Sequence, residues 1–220
     1  MNSFVYQSLP SRVVFGAGSI QKLAEEVDRL GAKKVLVLCT PPQRNLATLA
    51  VTHLDTKAVG VFDQAVMHVP IETAIEARKV AAELGADCCL AIGGGSTVGL
   101  GKAIAMTSEL PIIAVPTTFA GSEMTPIFGI TEAGLKKTGR DIRVLPKTVI
   151  YDPELLVTLP PQIAGPSGIN AIAHSVEALY AQDANPIISL MAEESIRALG
   201  RSLPKLVNDS SNIELISDAL

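Results

Sequence analysis

Hydrophobic positions in the first part of the chain follow two alternating rhythms. Ile20, Leu23, Ala24, Val27 and Leu30 fall on one helical face, and Gly31 stands where a helix C-terminus favours glycine. Val35-Leu36-Val37-Leu38-Cys39 is continuous instead, the pattern of a parallel strand covered on both faces by helices. The alternation repeats through a helix near 43–54, a strand at 58–62, and a helix from Ile71 to Leu84 closed by Gly85. A strand at 88–92, a helix from Ser96 to Met106 and a strand at 112–115 follow. Ahead of them, Phe4-Val5-Tyr6 and Val13-Val14-Phe15 flank Ser8-Leu9-Pro10-Ser11 and predict a hairpin or a pair of edge strands.

Repeated strand-helix units predict an α/β fold: a doubly wound, Rossmann-like domain over residues 1–160, with ligands at the carboxyl ends of its strands. Beyond Leu159-Pro160-Pro161 the strand-like runs cease. Helical patterns occupy about 168–183 and 187–207, separated by Pro186, so 161–220 reads as the start of an all-helical domain. Two or three helices bury too little surface for a core of their own, and this domain is expected to be truncated.

Composition sharpens the picture without changing it. Hydrophobic residues make up 48% of the chain and charged residues 18%, below the roughly 25% usual in soluble domains, which excludes a disordered chain. The 18 Lys and Arg against 22 Asp and Glu leave a net charge of −4, with no run of like charge, so nucleic acid is not an expected partner. Cys39, Cys88 and Cys89 lie inside apolar runs and match neither zinc spacing nor a disulfide framework; they predict buried thiols in a reducing compartment. With no signal-peptide pattern and no apolar stretch near the ~18–20 residues of a membrane span, a cytoplasmic protein with no membrane partner is expected.

Chemistry concentrates after the strands. Ala91-Ile92-Gly93-Gly94-Gly95-Ser96 runs a buried strand into three glycines and then a helix, where backbone can approach a diphosphate and meet the positive helix N-terminus. A tight turn with Ser96 as N-cap would use the same residues. Pro116-Thr117-Thr118-Phe119-Ala120-Gly121-Ser122-Glu123 follows the next strand and places hydroxyls where phosphate or a nicotinamide ribose could bind; a polar turn is the alternative. Asn170 and His174, four residues apart, share one helical face and could reach one small molecule or ion, although an amide is a weak transition-metal ligand. His53 and His68 stand outside any motif and read as surface or core-edge residues.

Taken in order, the GGGS turn followed by Lys102, then PTTFAGSE, YDPELLVTLP at 151–160 and GINAIAHSVEALY at 168–180, resemble the iron-containing alcohol dehydrogenase family from end to end of the chain. The resemblance implies a dehydroquinate synthase-like fold. It also implies cofactor contacts from Gly93, Gly94, Gly95, Ser96, Lys102, Thr117, Thr118, Ser122 and Thr40, and catalytic roles for Asn170 and His174. Gly99 and Gly101 depart from the metal-dependent members' GGGSxxDxAK, the PTTFAGSE loop is one residue shorter than theirs, and Asn170 replaces their first ligand aspartate. These departures resemble the branch that reduces the C=C bond of maleylacetate to 3-oxoadipate in aromatic-compound degradation, and they imply no metal. NAD-selective members carry an aspartate where this chain has Cys39-Thr40-Pro41-Pro42, so use of both NADH and NADPH is expected. Lys136 and Lys137 are expected to be a solvated pair on a turn. The resemblance also implies a homodimer, with strands at 4–15 pairing across a two-fold axis. Two other readings stay open: a metal-dependent alcohol or glycerol dehydrogenase, and a catalytically dead fragment that binds dinucleotide.

Overall fold

The computed structural model describes residues 3–9 and 11–220. By contact it divides into two compact units. One, Ser11–Thr117 with Gly121–Asp152, is the α/β unit. Its sheet has six parallel strands in the order β1 (Arg12–Phe15), β8 (Thr148–Tyr151), β5 (Ile112–Pro116), β4 (Cys88–Gly93), β2 (Val35–Leu38), β3 (Ala58–Phe62). The continuous apolar runs form its centre: every residue of β2, β4 and β5 is buried, as strands covered on both faces must be.

Helices α1 (Leu23–Arg29), α2 (Arg44–Leu54), α3 (Ile71–Glu83) and α4 (Gly95–Ser108) connect these strands. The first expected helix opens with a 3-10 turn, Ser19–Lys22, and Gly31 and Gly85 take the left-handed backbone at the ends of α1 and α3. Ala74, Ala77 and Ala81 of α3 lie against Leu36, Leu38, Cys89, Leu100 and Ile104; their small side chains let helix and sheet approach closely. Helix α4 is buried along much of its length, with Val98 and Ala105 packed in a second cluster with Ala91, Ile112, Ala114 and Val149. The three cysteines are free and buried. Burial pushes the thiol of Cys39 up to about 11 and that of Cys89 to about 12, so neither is a thiolate near neutrality.

Two expectations are corrected. The hairpin at 4–15 does not form: residues 4–9 carry no strand, and β1 pairs in parallel with β8, Arg12 opposite Thr148 and Phe15 opposite Tyr151. A ready sheet edge pairs the whole of β1, which the three-residue run Phe4–Tyr6 could not. Strand β8, Thr148–Tyr151, lies outside every predicted run. Second, Lys136 and Lys137 lie on a strand rather than a turn. The antiparallel hairpin of β6 (Ile127–Glu132) and β7 (Leu135–Arg140) turns through Ala133 and Gly134, both at positive φ, and Lys137 pairs with Glu132. The polar sequence of β7 hid it. By contact the division falls after Asp152, and Leu156 in the 3-10 turn Pro153–Leu156 lies with Ala164, Leu206 and Ile216 of the same unit.

The other unit comprises 3–9, Thr118–Ala120 and Pro153–Leu220, with helices α5 (Pro161–Tyr180), α6 (Pro186–Leu206) and α7 (Ile213–Ala219). Pro186 opens α6 at its first turn, and Asn185 caps it by accepting from the amides of Ile187 and Ile188 at 3.2 Å. Gly168 sits under Leu203, where a Cβ would come within 2.6 Å of the leucine methyl, so α5 and α6 meet through this missing side chain. Among the described residues, no helix is long and apolar enough to cross a membrane.

The edge of the sheet is held by charge. Glu26 of α1, 1% exposed, accepts from Arg12 Nε of β1 at 3.0 Å and from Arg29 Nε at 2.9 Å, while Thr148 Oγ1 of β8 lies 3.3 Å away. Burial alone would raise its pKa, but the hydrogen bonds from Arg29 and Arg12 and their charges carry it below its ordinary value of 4.5. A depressed carboxylate contributes stability that is present above the unfolded pKa and lost as pH falls through the folded one. Glu26→Gln is expected to cost roughly 2 kcal/mol in urea unfolding at neutral pH, since both arginines are part-exposed and recover water. That difference from wild type should shrink as the pH is lowered below 4.5; a constant difference would rule out the charge as its origin.

Candidate functional site

The path of the chain reverses direction inside the sheet, between β2 and β4. From β2 the chain moves outward to β3, then returns to the opposite flank of β2 for β4 and continues outward to β5. An open parallel sheet leaves a crevice at such a reversal, outside the strands' carboxyl ends. The loops that flank it here follow β2 and β4.

After β4 the backbone turns sharply. Gly93 has φ +151°, and a Cβ there would lie 2.5 Å from Thr97 Oγ1 and 2.7 Å from Gln43 Oε1, so only glycine fits without displacing a neighbour. Gly94 is the N-cap of α4 and Gly95 its first residue; the N–H groups of Thr97 and Val98 close onto the Gly94 carbonyl at 3.0 and 3.2 Å. No side-chain hydrogen bond caps this terminus. Ser96 lies inside the first turn, so the reading of Ser96 as N-cap is corrected. The amides of Gly95 and Ser96 are left to a ligand or water, at the positive end of a fourteen-residue helix. Such a terminus, with glycine backbone on its approach, suits a diphosphate. Thr97 Oγ1 is fully buried beneath the turn without a hydrogen-bond partner among the described residues.

A short polar relay crosses the crevice. Thr40 Oγ1 donates to Gln43 Oε1 at 2.9 Å, Gln43 Nε2 donates to Thr117 Oγ1 at 2.8 Å, and the Thr117 amide donates to the Gly93 carbonyl at 3.0 Å. The relay therefore ties the ends of β2, β4 and β5 together. Thr117, 2% exposed, braces the turn from below. Gln43 carries no motif and escaped the sequence reading; only the folded chain puts it over Gly93.

Lys102 has a different task from the cofactor contact expected of it. Its side chain is fully buried, and Nζ donates to the carbonyls of Ser122, Ile127 and Thr125 at 2.6, 2.7 and 2.8 Å, with Thr125 Oγ1 at 3.2 Å. An ammonium has three protons. Three carbonyls consume them, so Lys102 shapes the segment after PTTFAGSE rather than reaching a ligand. Burial lowers its pKa to about 8, with the Glu123 carboxylate opposing. Glu123, also missed, is 3% exposed and accepts from Tyr151 OH at 2.8 Å; burial raises its pKa. The only available signal was its place inside PTTFAGSE.

The structure thus gathers Gly93, Gly94, Gly95, Ser96, Thr117 and Thr40 along one sheet edge. Ser122 lies further on in the same unit, half-buried, its carbonyl held by Lys102. Thr118 groups by contact with the helical unit. Asn170 and His174 also belong to that unit, both exposed on α5, with His174 Nδ1 3.4 Å from Glu177 Oε2.

The model of the iron-containing alcohol dehydrogenase family matches residues 10–153, and that of the C-terminal part of the Fe-containing alcohol dehydrogenase family matches 165–220. Maleylacetate reductase of Burkholderia cepacia is 57% identical over 220 residues, covering 100% of this chain and 62% of that protein. Maleylacetate reductase of Sphingobium indicum is 56% identical over 217 residues, covering 99% of this chain and 61% of its own length. Among solved structures, maleylacetate reductase from Agrobacterium tumefaciens superposes with a TM-score of 0.97 at 48% identity, over 100% of this chain and 63% of that one. The chain spans about 62% of the length of the curated relatives it matches.

Gly93→Ala is expected to destabilise the α/β unit by about 2 kcal/mol, through a strained φ and an overpacked Cβ. The same substitution should lower affinity for NADH by at least tenfold, read by nicotinamide fluorescence titration. Unchanged binding would detach the glycine turn from any diphosphate.

Proposed function

The chain belongs to the iron-containing alcohol dehydrogenase family, and from that premise we propose that it is an NAD(P)H-dependent reductase that converts maleylacetate to 3-oxoadipate in aromatic-compound degradation. Identity of 57% to a maleylacetate reductase across this chain's whole length carries the reading. The glycine turn supports it: a helix terminus without a side-chain cap, approached by backbone that tolerates no Cβ, fits the pyrophosphate of a nicotinamide dinucleotide.

When bound, that cofactor supplies the hydride. In this reading Gly93, Gly94, Gly95 and Ser96 present backbone amides to its pyrophosphate. Thr40 offers a hydroxyl over the end of β2, and Thr117, through Gln43, keeps the turn in place. Thr118 and Ser122 are assigned to the same ligand by their hydroxyls. Asn170 and His174 are assigned to the substrate: reduction of a C=C bond conjugated to a ketone builds negative charge on the keto oxygen. A hydrogen-bond donor at that oxygen stabilises the enolate, after which the adjacent carbon takes a proton. His174 supplies the donor, and Asn170 orients the substrate.

The family's name implies iron. Among the described residues no group of three or more His, Cys, Asp or Glu side chains could hold a metal ion, and α5 offers one imidazole with an amide four residues before it. Neutral amide oxygen is a poor partner for a transition metal. These residues do not fit an iron site, and the proposed steps use none.

The test follows oxidation of NADH and of NADPH at the nicotinamide absorbance with freshly generated maleylacetate, with and without EDTA. Turnover with both dinucleotides that survives chelation is expected. Loss with EDTA and recovery with a divalent metal would favour the metal-dependent alcohol dehydrogenases instead. Dinucleotide binding without turnover would identify these 220 residues as a cofactor-binding part alone.

We also assign it, as a protein whose three free thiols suit a reducing cytoplasm, to a homodimer built on β1, the terminal strand of the sheet. Sedimentation at micromolar concentration should give twice the chain mass; a monomer would count against the dimer.

A further inference from the structure

The end of β2 carries no carboxylate: Thr40-Pro41-Pro42 stands there. The fold brings one from the next strand. Asp63 follows β3 directly, and the ends of β2 and β3 are stitched by the Cys39 amide donating to the Phe62 carbonyl at 3.0 Å and the Ala65 amide donating to the Cys39 carbonyl at 3.1 Å. Asp63 is not free, however. Its carboxylate pairs with the guanidinium of Arg44, the first residue of α2, whose side chain is 59% exposed. The Thr40–Gln43 and Arg44–Asp63 pairs therefore adjoin through consecutive residues 43 and 44, a cluster beside the crevice that includes two opposite charges.

A pyrophosphate seated on the N-terminus of α4 has its two nucleosides directed over β4's neighbours, β2 and β5. Over β2, NADH and NADPH differ only at the ribose 2′ position. A lone carboxylate there accepts from a 2′-hydroxyl and repels a 2′-phosphate, whereas a guanidinium accommodates the phosphate through paired N–H groups. This cluster holds both.

We propose that the Arg44–Asp63 pair is the switch that lets one site take both dinucleotides: with NADH the pair stays closed and Thr40 meets the ribose, and with NADPH Arg44 leaves Asp63 for the 2′-phosphate. This rests on the dinucleotide reading above and names the residues that set its specificity. Exchange of one anion for another on Arg44 costs little, because the guanidinium is largely exposed and Asp63, at 32% exposure, is already open to water. It also makes Asp63 a competitor of the phosphate.

The test compares equilibrium binding of NADH and NADPH to the whole chain and to Arg44→Ala, Arg44→Lys and Asp63→Asn, by nicotinamide fluorescence at low and high salt. Arg44→Ala should weaken NADPH binding about tenfold and leave NADH within twofold, with Arg44→Lys between wild type and alanine. Asp63→Asn should tighten NADPH several-fold, and all effects on NADPH should fade at high salt. A merely structural role for the pair would move both dinucleotides together and would overturn the proposal. So would variants that leave the ratio of the two affinities unchanged. If wild type binds neither dinucleotide, the functional reading itself falls, an outcome separable from an unmoved ratio.

Discussion

Over the end of β4, any side chain at position 93 would need space already held by the Thr97 hydroxyl and the Gln43 amide, at 2.5 and 2.7 Å from a Cβ. Backbone alone occupies that point, and the first turn of α4 therefore presents its amides without an intervening side chain. The relay from Thr40 through Gln43 to Thr117 depends on the same vacancy, because Gln43 can span from β2 to β5 only across a glycine. In this way one steric constraint both opens a ligand surface and ties together the strand ends that frame it.

Around that surface, buried polar groups serve as struts. Lys102 spends its protons on the carbonyls of Ser122, Thr125 and Ile127, and Glu123 is held by Tyr151 from β8. An ammonium buried this deeply is costly unless its donors are all used, so its partners define the path of the chain between β5 and the β6–β7 hairpin. Glu26 plays the corresponding part at the far edge, joining β1 to α1. The charges nearer solvent are placed differently: Arg44, largely exposed, pairs with the half-buried Asp63.

How much of this was readable before folding follows from range. Apolar runs and glycine stops depend on neighbours close in the chain, so β2 to β5 and α1 to α4 were legible from pattern alone. The glycine turn was legible too, because Gly93 to Gly95 are adjacent and a strand precedes them. By contrast, β7 is largely polar, and the pairing of β1 with β8 joins Arg12 to Thr148 across most of the α/β unit. The site was legible in part: Thr40 and Thr117 were seen as separate hydroxyls, whereas Gln43, which connects them, had no signal at all.

The sequence by itself determined that this is an α/β chain with a glycine turn opening a helix, and its motifs pointed to the family. Local chemistry suffices there: backbone freedom, helix polarity and burial pattern are properties of consecutive residues. Tertiary structure decided where the strand order reverses, that Lys102 faces carbonyls rather than a ligand, and that the carboxylate beside the crevice comes from β3 with Arg44 against it. Those outcomes depend on which strands become neighbours. Strand neighbours are chosen by packing among segments far apart in sequence, and no local pattern records that choice.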